Sequence, residues 1–140
     1  MSKLYVAYGS NLNIKQMGWR CPTAKVIGIG KILDYKLTFR HVATIEPSEK
    51  SEVPVAVWEI EPKDEVALDV YEGYPSLYRK EDITVELKDK KVQAMVYIMN
   101  GGKPAMPSRS YLQVIAEGYD DVGLDKYYLK EALEDTESRL

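Results

Sequence analysis

Short apolar runs, broken by glycine, proline and paired charges, divide this chain, and most have the composition of strands. Tyr5-Val6-Ala7-Tyr8 is apolar or aromatic throughout, as a buried strand is. Gly9 follows, where a side chain would obstruct a turn. Ser10 and Asn11 are of the types that cap helices, so a short helix is predicted through Ile14, Met17 and Gly18. Cys21-Pro22 ends it, because the residue before proline is pushed out of the helical region. Ala24 to Leu33, with Val26, Ile27, Ile29 and Ile32, predicts a strand bent at Gly28 or Gly30. Tyr35 to His41 alternates, which sets Tyr35, Leu37, Phe39 and His41 on one face, and Ala43-Thr44-Ile45 is a further short strand. Glu46 to Glu52 is polar, contains a proline and reads as a surface loop. Val53 to Ile60 is a strong strand with Pro54 at its edge-compatible start.

The period then changes. Pro62, Asp64 and Glu65 suit the first turn of a helix, and Val66, Leu68, Val70 and Tyr71 give it an apolar face up to Gly73. Tyr74-Pro75 closes it. Tyr78 to Leu87 and Lys91 to Met99 form a hairpin about Asp89-Lys90. Ser108 caps a helix carrying Leu112, Ile115, Ala116 and Tyr119, and Asp125 starts a last helix with Tyr128, Leu129 and Leu133 inward. No repeat or linker splits residues 1–140, which fits a single domain. Neighbouring strands with helices inserted and gathered at the C-terminus predict an α+β fold with a largely antiparallel sheet. About six or seven strands in so short a chain can curl into a small barrel.

Composition narrows the function classes. Nineteen basic against 22 acidic residues leave a net charge of −3, without the basic excess that nucleic-acid binding needs. No apolar run approaches the roughly 20 residues of a membrane span. Met1-Ser2-Lys3 runs straight into a strand, with no signal-peptide pattern. Cys21 is the only cysteine, so no intrachain disulfide forms and a cytoplasmic setting is expected. Cys21 and His41 do not build a metal site. The 11 tyrosines against one phenylalanine suit pocket walls, since tyrosine has an apolar body and a polar tip.

Two stretches carry candidate chemistry. A strand that breaks at Gly9 and feeds a helix start leaves N–H groups without partners, and these can hold a carboxylate or an oxyanion. An ordinary strand-to-helix joint has the same residues. Glu72 closes a predicted helix between Tyr71 and Tyr74, where the helix dipole and the aromatic flanks raise a carboxylate's pKa, as a general acid/base requires. A solvated last-turn glutamate is the plainer reading. Tyr8, Tyr78, Tyr97 and Tyr111 are candidate pocket tyrosines or core packing. His41 reads as a packed, hydrogen-bonded side chain, Ser10 has no recognisable histidine–carboxylate pair for a triad, and Gly28-Ile29-Gly30-Lys31 lacks the other residues of a phosphate loop.

Taken together, Tyr8-Gly9-Ser10-Asn11-Leu12 and Leu68-Asp69-Val70-Tyr71-Glu72-Gly73 resemble the γ-glutamylcyclotransferase-like family. Ala43-Thr44-Ile45, Val55-Ala56-Val57-Trp58, Leu77-Tyr78, Val96-Tyr97-Ile98-Met99 and Ser110-Tyr111 follow in the same order. The resemblance implies a small mixed, largely antiparallel β-barrel with flanking helices and a pocket at its mouth. It implies an enzyme that cyclises a γ-glutamyl amide or γ-glutamyl amino acid to 5-oxoproline and releases the amine. Glu72 would be the general acid/base, and Tyr5, Val6, Ala7, Tyr8, Gly9, Ser10, Asn11, Tyr78, Tyr97 and Tyr111 would bind substrate. It implies no metal or organic cofactor, and a small γ-glutamyl compound as the partner rather than nucleic acid or membrane. His41-Val42 departs from the glycine that many members carry before Ala-Thr-Ile, which would narrow or re-aim the pocket. Another γ-glutamyl acyl transfer on the same fold, or a non-catalytic binding barrel, are the alternatives.

Overall fold

The computed structural model describes residues 2–140. Five strands, β1 (Lys3–Ala7), β2 (Lys25–Arg40), β3 (Val42–Ile60), β4 (Tyr78–Leu87) and β5 (Lys91–Met99), close into a barrel in the order β1-β3-β2-β4-β5. Neighbours are antiparallel except where β5 closes on β1, parallel, with Tyr5 opposite Met95. Closure leaves no open sheet edge to be covered. The helices α1 (Ile14–Arg20), α2 (Pro62–Glu72), α3 (Arg109–Val122) and α4 (Tyr127–Ser138) flank it. The expected architecture is therefore present, with five strands rather than six or seven.

The difference lies in the polar stretch Glu46 to Glu52, which is not a loop. It belongs to β3, because β2 and β3 form one long ribbon that turns at His41. The ribbon slips register between Leu33 and Tyr35, and Asp34 and Lys50 take positive φ values of 63° and 65°. The Lys50 amide donates to Asp34 Oδ1 at 3.0 Å, which holds the two irregular residues together across the kink. The ribbon tip then folds back on the barrel, where the Met99 amide donates to Thr44 Oγ1 at 3.0 Å. His41 is the turn residue, with φ of 69°, and its side chain is exposed. It does not share the packed face of Leu37 and Phe39, so the reading of a packed histidine is corrected.

Two helices depart from expectation in ways that shape the site. Ser10 and Asn11 do not cap α1. They open a 3-10 turn, Ser10–Leu12, and Asn13 is the cap, accepting from the Gln16 amide at 3.1 Å. In α2 the apolar residues Val66 and Val70 face outward, 64% and 80% exposed, and the buried positions are Asp64 and Leu68. Four-residue spacing continues that inner row to Glu72. Asp64 tolerates burial because its carboxylate accepts from Thr23 Oγ1 at 2.8 and 2.9 Å and from the Glu61 amide at 2.9 Å. Gly73, left-handed at φ of 65°, ends α2 directly after Glu72. Helix α3 follows expectation, with Ser108 accepting from the Tyr111 amide, and in α4 Leu129 is buried as expected although the helix starts at Tyr127 rather than at Asp125. The barrel core joins Leu12, Met17, Leu68, Ile115, Tyr119 and Leu129 in one cluster. No helix among the described residues is long and apolar enough to cross a membrane.

Candidate active site

Gly9 sets the location. Strand β1 ends at Ala7 and the chain turns over the barrel mouth against the tip of the β2–β3 ribbon. A Cβ at Gly9 would stand 3.2 Å from Ala43 Cβ, tighter than side chains ordinarily pack, so glycine permits this approach. The last turn of α2 brings Glu72 to the same place. The resulting cleft is lined by Gly9, Ser10 and Asn11 of the turn, by Glu72, and by the tyrosines at 5, 8, 78, 97 and 111. Val6 and Ala43 complete it. Ten of the expected site residues thus converge, with Glu72 as one of them. Ala7 does not line the cleft; it is buried in the core, and Ala43 is the contact the sequence did not indicate. His41 lies outside as well, beside Arg40 and Leu77 in a neighbouring hollow, so its side chain does not narrow this cleft.

The tyrosines form a fixed wall because their hydroxyls are committed elsewhere. Tyr8 donates to the Tyr97 carbonyl at 2.7 Å, and Tyr78 to the Ala43 carbonyl at 2.6 Å. Tyr97 donates to Asp69 Oδ1 at 2.6 Å, and Asp69 is in turn held by Lys80 at 2.9 Å. Tyr5 accepts from Asn11 Nδ2 at 2.8 Å, and Tyr111 accepts from the Ala43 amide at 3.0 Å. Burial pushes all five phenols up, well beyond any pH at which they would ionise in a cell. They act as neutral, oriented walls.

Glu72 differs from them. No side chain or amide among the described residues hydrogen-bonds its carboxyl. Burial raises its pKa to about 7, against a smaller opposing pull from the Arg20 charge. A carboxyl with that value and free oxygens exchanges protons near neutrality. The sequence argument reached the right direction with an incomplete cause: desolvation dominates, from the position of Glu72 on the inner row of α2.

Arg20 is the residue that sequence reading passed over, and Tyr71 enters that reading only as helix face and as an aromatic flank of Glu72, not as a partner of the turn. Tyr71 Oη and Ser10 Oγ are 2.7 Å apart, joining the end of α2 to the turn. The Arg20 guanidinium stacks 3.5 Å from the Tyr71 ring centre and donates to Asn11 Oδ1 and, at 3.1 Å, to Gln16 Oε1. Nothing in the local pattern marks these contacts, since Asn11 and Tyr71 stand in other elements than Arg20, and Ser10 in another than Tyr71. With these contacts made, the cleft volume is about 20 Å³, room for about one water molecule. A larger hollow of about 480 Å³ lies between the ribbon and α4, but ion pairs such as Lys36–Asp135 and Lys31–Glu52 line its rim, with no carboxyl left free for chemistry.

Known proteins resemble the chain over most of its length. Residues 5–118 match the family described as "Gamma-glutamyl cyclotransferase, AIG2-like". The γ-glutamylcyclotransferase of Bos taurus is 32% identical over 143 aligned positions, covering 92% of this chain and 76% of the bovine protein. The Homo sapiens γ-glutamylcyclotransferase is 30% identical, covering 91% of this chain and 75% of its own. A solved structure described as "Gamma-glutamyl cyclotransferase" superposes with a TM-score of 0.85 at 28% identity, covering 94% of this chain and 86% of that one. The barrel, the cleft and these likenesses agree, and the chain belongs to the γ-glutamyl cyclotransferase, AIG2-like family of enzymes.

Proposed function

We propose that this chain, as a single domain, cyclises a γ-glutamyl amide or γ-glutamyl amino acid to 5-oxoproline and frees the amine, with Glu72 as general acid/base. The observation that carries the reading is the Glu72 carboxyl: it lies beside the Gly9–Asn11 turn, without a protein hydrogen-bond partner and with a pKa raised to about 7. The substrate brings its own nucleophile. Its α-amine gives a proton to Glu72 and attacks the γ-carbonyl, closing a five-membered ring. The tetrahedral oxyanion then collapses, the bond to the departing nitrogen breaks, and Glu72 returns its proton to that nitrogen. No water is consumed and Glu72 ends as it began.

The first amides of the Ser10–Leu12 turn have no carbonyl one turn back to donate to, which suits them to a carboxylate or the oxyanion. The tyrosine wall holds the flexible glutamyl chain folded for attack, where intramolecular reaction gains a large effective concentration. Ser10 is bonded to Tyr71 rather than to a histidine–carboxylate pair, which favours the substrate amine over the serine as nucleophile. A cytoplasmic setting belongs to this reading. It rests on a lone, buried Cys21 whose thiol is pushed up to about 11 by burial and so resists oxidation.

The test is the fate of the acyl group. A γ-glutamyl anilide incubated in water labelled with heavy oxygen is expected to give unlabelled 5-oxoproline. Acetylation of the α-amine is expected to abolish turnover. Labelled glutamate as the primary product would make the enzyme a hydrolase, and release of no amine from any γ-glutamyl compound would leave a binding barrel.

A further inference from the structure

The proposed reaction leaves one group of the substrate without a counter-charge. The α-amine meets Glu72, but the α-carboxylate next to it must also leave water. Tyr8, Tyr78 and Tyr97 spend their protons on the Tyr97 carbonyl, the Ala43 carbonyl and Asp69, and the Tyr5 and Tyr111 hydroxyls, which accept from Asn11 and the Ala43 amide, keep a proton to offer but carry no charge. Lys80, on the far side of Tyr97, is neutralised by Glu65 and Asp69 at 2.7 and 2.9 Å.

Arg20 is different. It is partly buried, and its partners are all uncharged: the Asn11 and Gln16 side-chain oxygens and the Tyr71 ring. No carboxylate among the described residues forms an ion pair with it. Two of its N–H donors hold it in place, and a guanidinium has five. Arg20 stands behind the lining of the cleft rather than in it; its anchor, Asn11, is a lining residue, and the guanidinium charge is felt at the Glu72 carboxyl. A planar, fixed guanidinium with unspent donors is the geometry that takes a carboxylate through two parallel bonds.

We propose that Arg20 is the specificity-determining residue of the cleft and takes the α-carboxylate of the γ-glutamyl group, resting on the function proposed above. Asn11, Gln16 and the Tyr71 ring fix its plane, so that the carboxylate lies between the guanidinium and the turn amides. The α-amine is then directed at Glu72. The cleft must widen for this, and the contact to break is Tyr71 Oη–Ser10 Oγ, because it ties a lining residue, Ser10, to a side chain that is 41% exposed and has room to swing away. The leaving nitrogen and its substituent stay outside this arrangement. The enzyme is thus selective for the acyl half of its substrate.

Three compounds separate this role from others: a γ-glutamyl anilide, its α-carboxamide twin, and a γ-glutamyl amino acid whose leaving group also carries a carboxylate. Amine release is measured for wild type, Arg20→Gln and Arg20→Lys, with thermal melting as a check of folding. Arg20→Gln is expected to lower kcat/KM by about 10–100-fold on the anilide and on the γ-glutamyl amino acid, the loss of one charged hydrogen-bonded pair. On the α-carboxamide twin, which the wild type already uses poorly, the change is expected to stay within about threefold. Arg20→Lys keeps the charge without the fork and is expected to recover part of the loss. Should Arg20→Gln not fold, Arg20→Lys carries the comparison with a smaller loss confined to the two α-carboxylates. Equal losses on acid and carboxamide would make Arg20 a structural support and overturn the proposal. A loss confined to the γ-glutamyl amino acid would mean that it reads the leaving group instead. Wild-type enzyme that turns over none of the three would remove the underlying function, a failure distinct from both.

Discussion

Glu72 is held at a cost to stability, and the cost has a predictable pH dependence. Its carboxyl has an ordinary value of 4.5 and is raised to about 7 in the folded chain by burial. Between those values the folded state keeps a proton that the unfolded state has lost. Stability therefore falls as pH rises from about 4.5 to about 7 and is level above, by about 3 kcal/mol in all. Glutamine has the same shape and no charge to desolvate. Glu72→Gln is expected to melt close to wild type at pH 4 and above it at pH 8, while turnover falls roughly 10²–10⁴-fold. Melting no higher than wild type at pH 8 would show that the carboxylate is solvated. Glu72 was legible in the sequence because its place in the chain fixes both the helix end and the motif. Arg20 was not, because its role depends on Asn11 and Tyr71 meeting it in space. Ala7 and Ala43 exchange places for a related reason: the first is adjacent in sequence to the turn, the second is brought to it by the ribbon tip.

At the level of elements, the start and end of α2 were readable and its inward face was readable only at Leu68. Pro62 and Gly73 mark the ends by backbone chemistry alone. The face was misread because Val66 and Val70 suggest an apolar row, whereas the buried row is Asp64, Leu68 and then Glu72. Two of those three are carboxylates, one satisfied by Thr23 and one reserved for chemistry, so hydropathy points the wrong way at a functional element. Paired truncations test the orientation. Leu68→Ala is expected to cost about 2–5 kcal/mol in denaturant unfolding, and Val70→Ala to stay within about 0.5 kcal/mol. Comparable costs would mean that Val70 is covered in solution. The ribbon was split into separate strands for a similar reason: Glu46 to Glu52 is polar because that part of β3 is largely exposed, and polarity alone does not separate an exposed strand from a loop.

Across the whole molecule, the site depends on α3, which lies outside the barrel. Tyr111, in its first turn, accepts from the Ala43 amide and so ties the helix to the ribbon tip. Two turns further on, Gly118 meets the other half of the site. A Cβ there would stand 2.7 Å from the Asn13 amide nitrogen, from the Leu12 carbonyl carbon and from Leu12 Cβ. The first two are backbone atoms of the chain leaving the Ser10–Leu12 turn, so no side-chain rotation relieves the clash. Asn13 Nδ2 also donates to the Val114 carbonyl at 3.0 Å, which fixes the spacing between α3 and the turn from the other side. Gly118 therefore sets how closely the helix presses Ser10 and Asn11 toward Glu72. Gly118→Ala has two opposed effects. Alanine favours the helix by up to about 1 kcal/mol, but overpacking against backbone costs about 1–3 kcal/mol. The net expectation is a lower unfolding midpoint. The displaced turn should also raise KM for a γ-glutamyl anilide more than it lowers kcat, because the turn binds the glutamyl group while Glu72 keeps its place on α2. Titration of unfolding with urea and steady-state kinetics on the same preparation check both parts. A Gly118→Ala protein as stable as wild type, with unchanged KM, would mean that α3 is free to move outward and does not brace the turn.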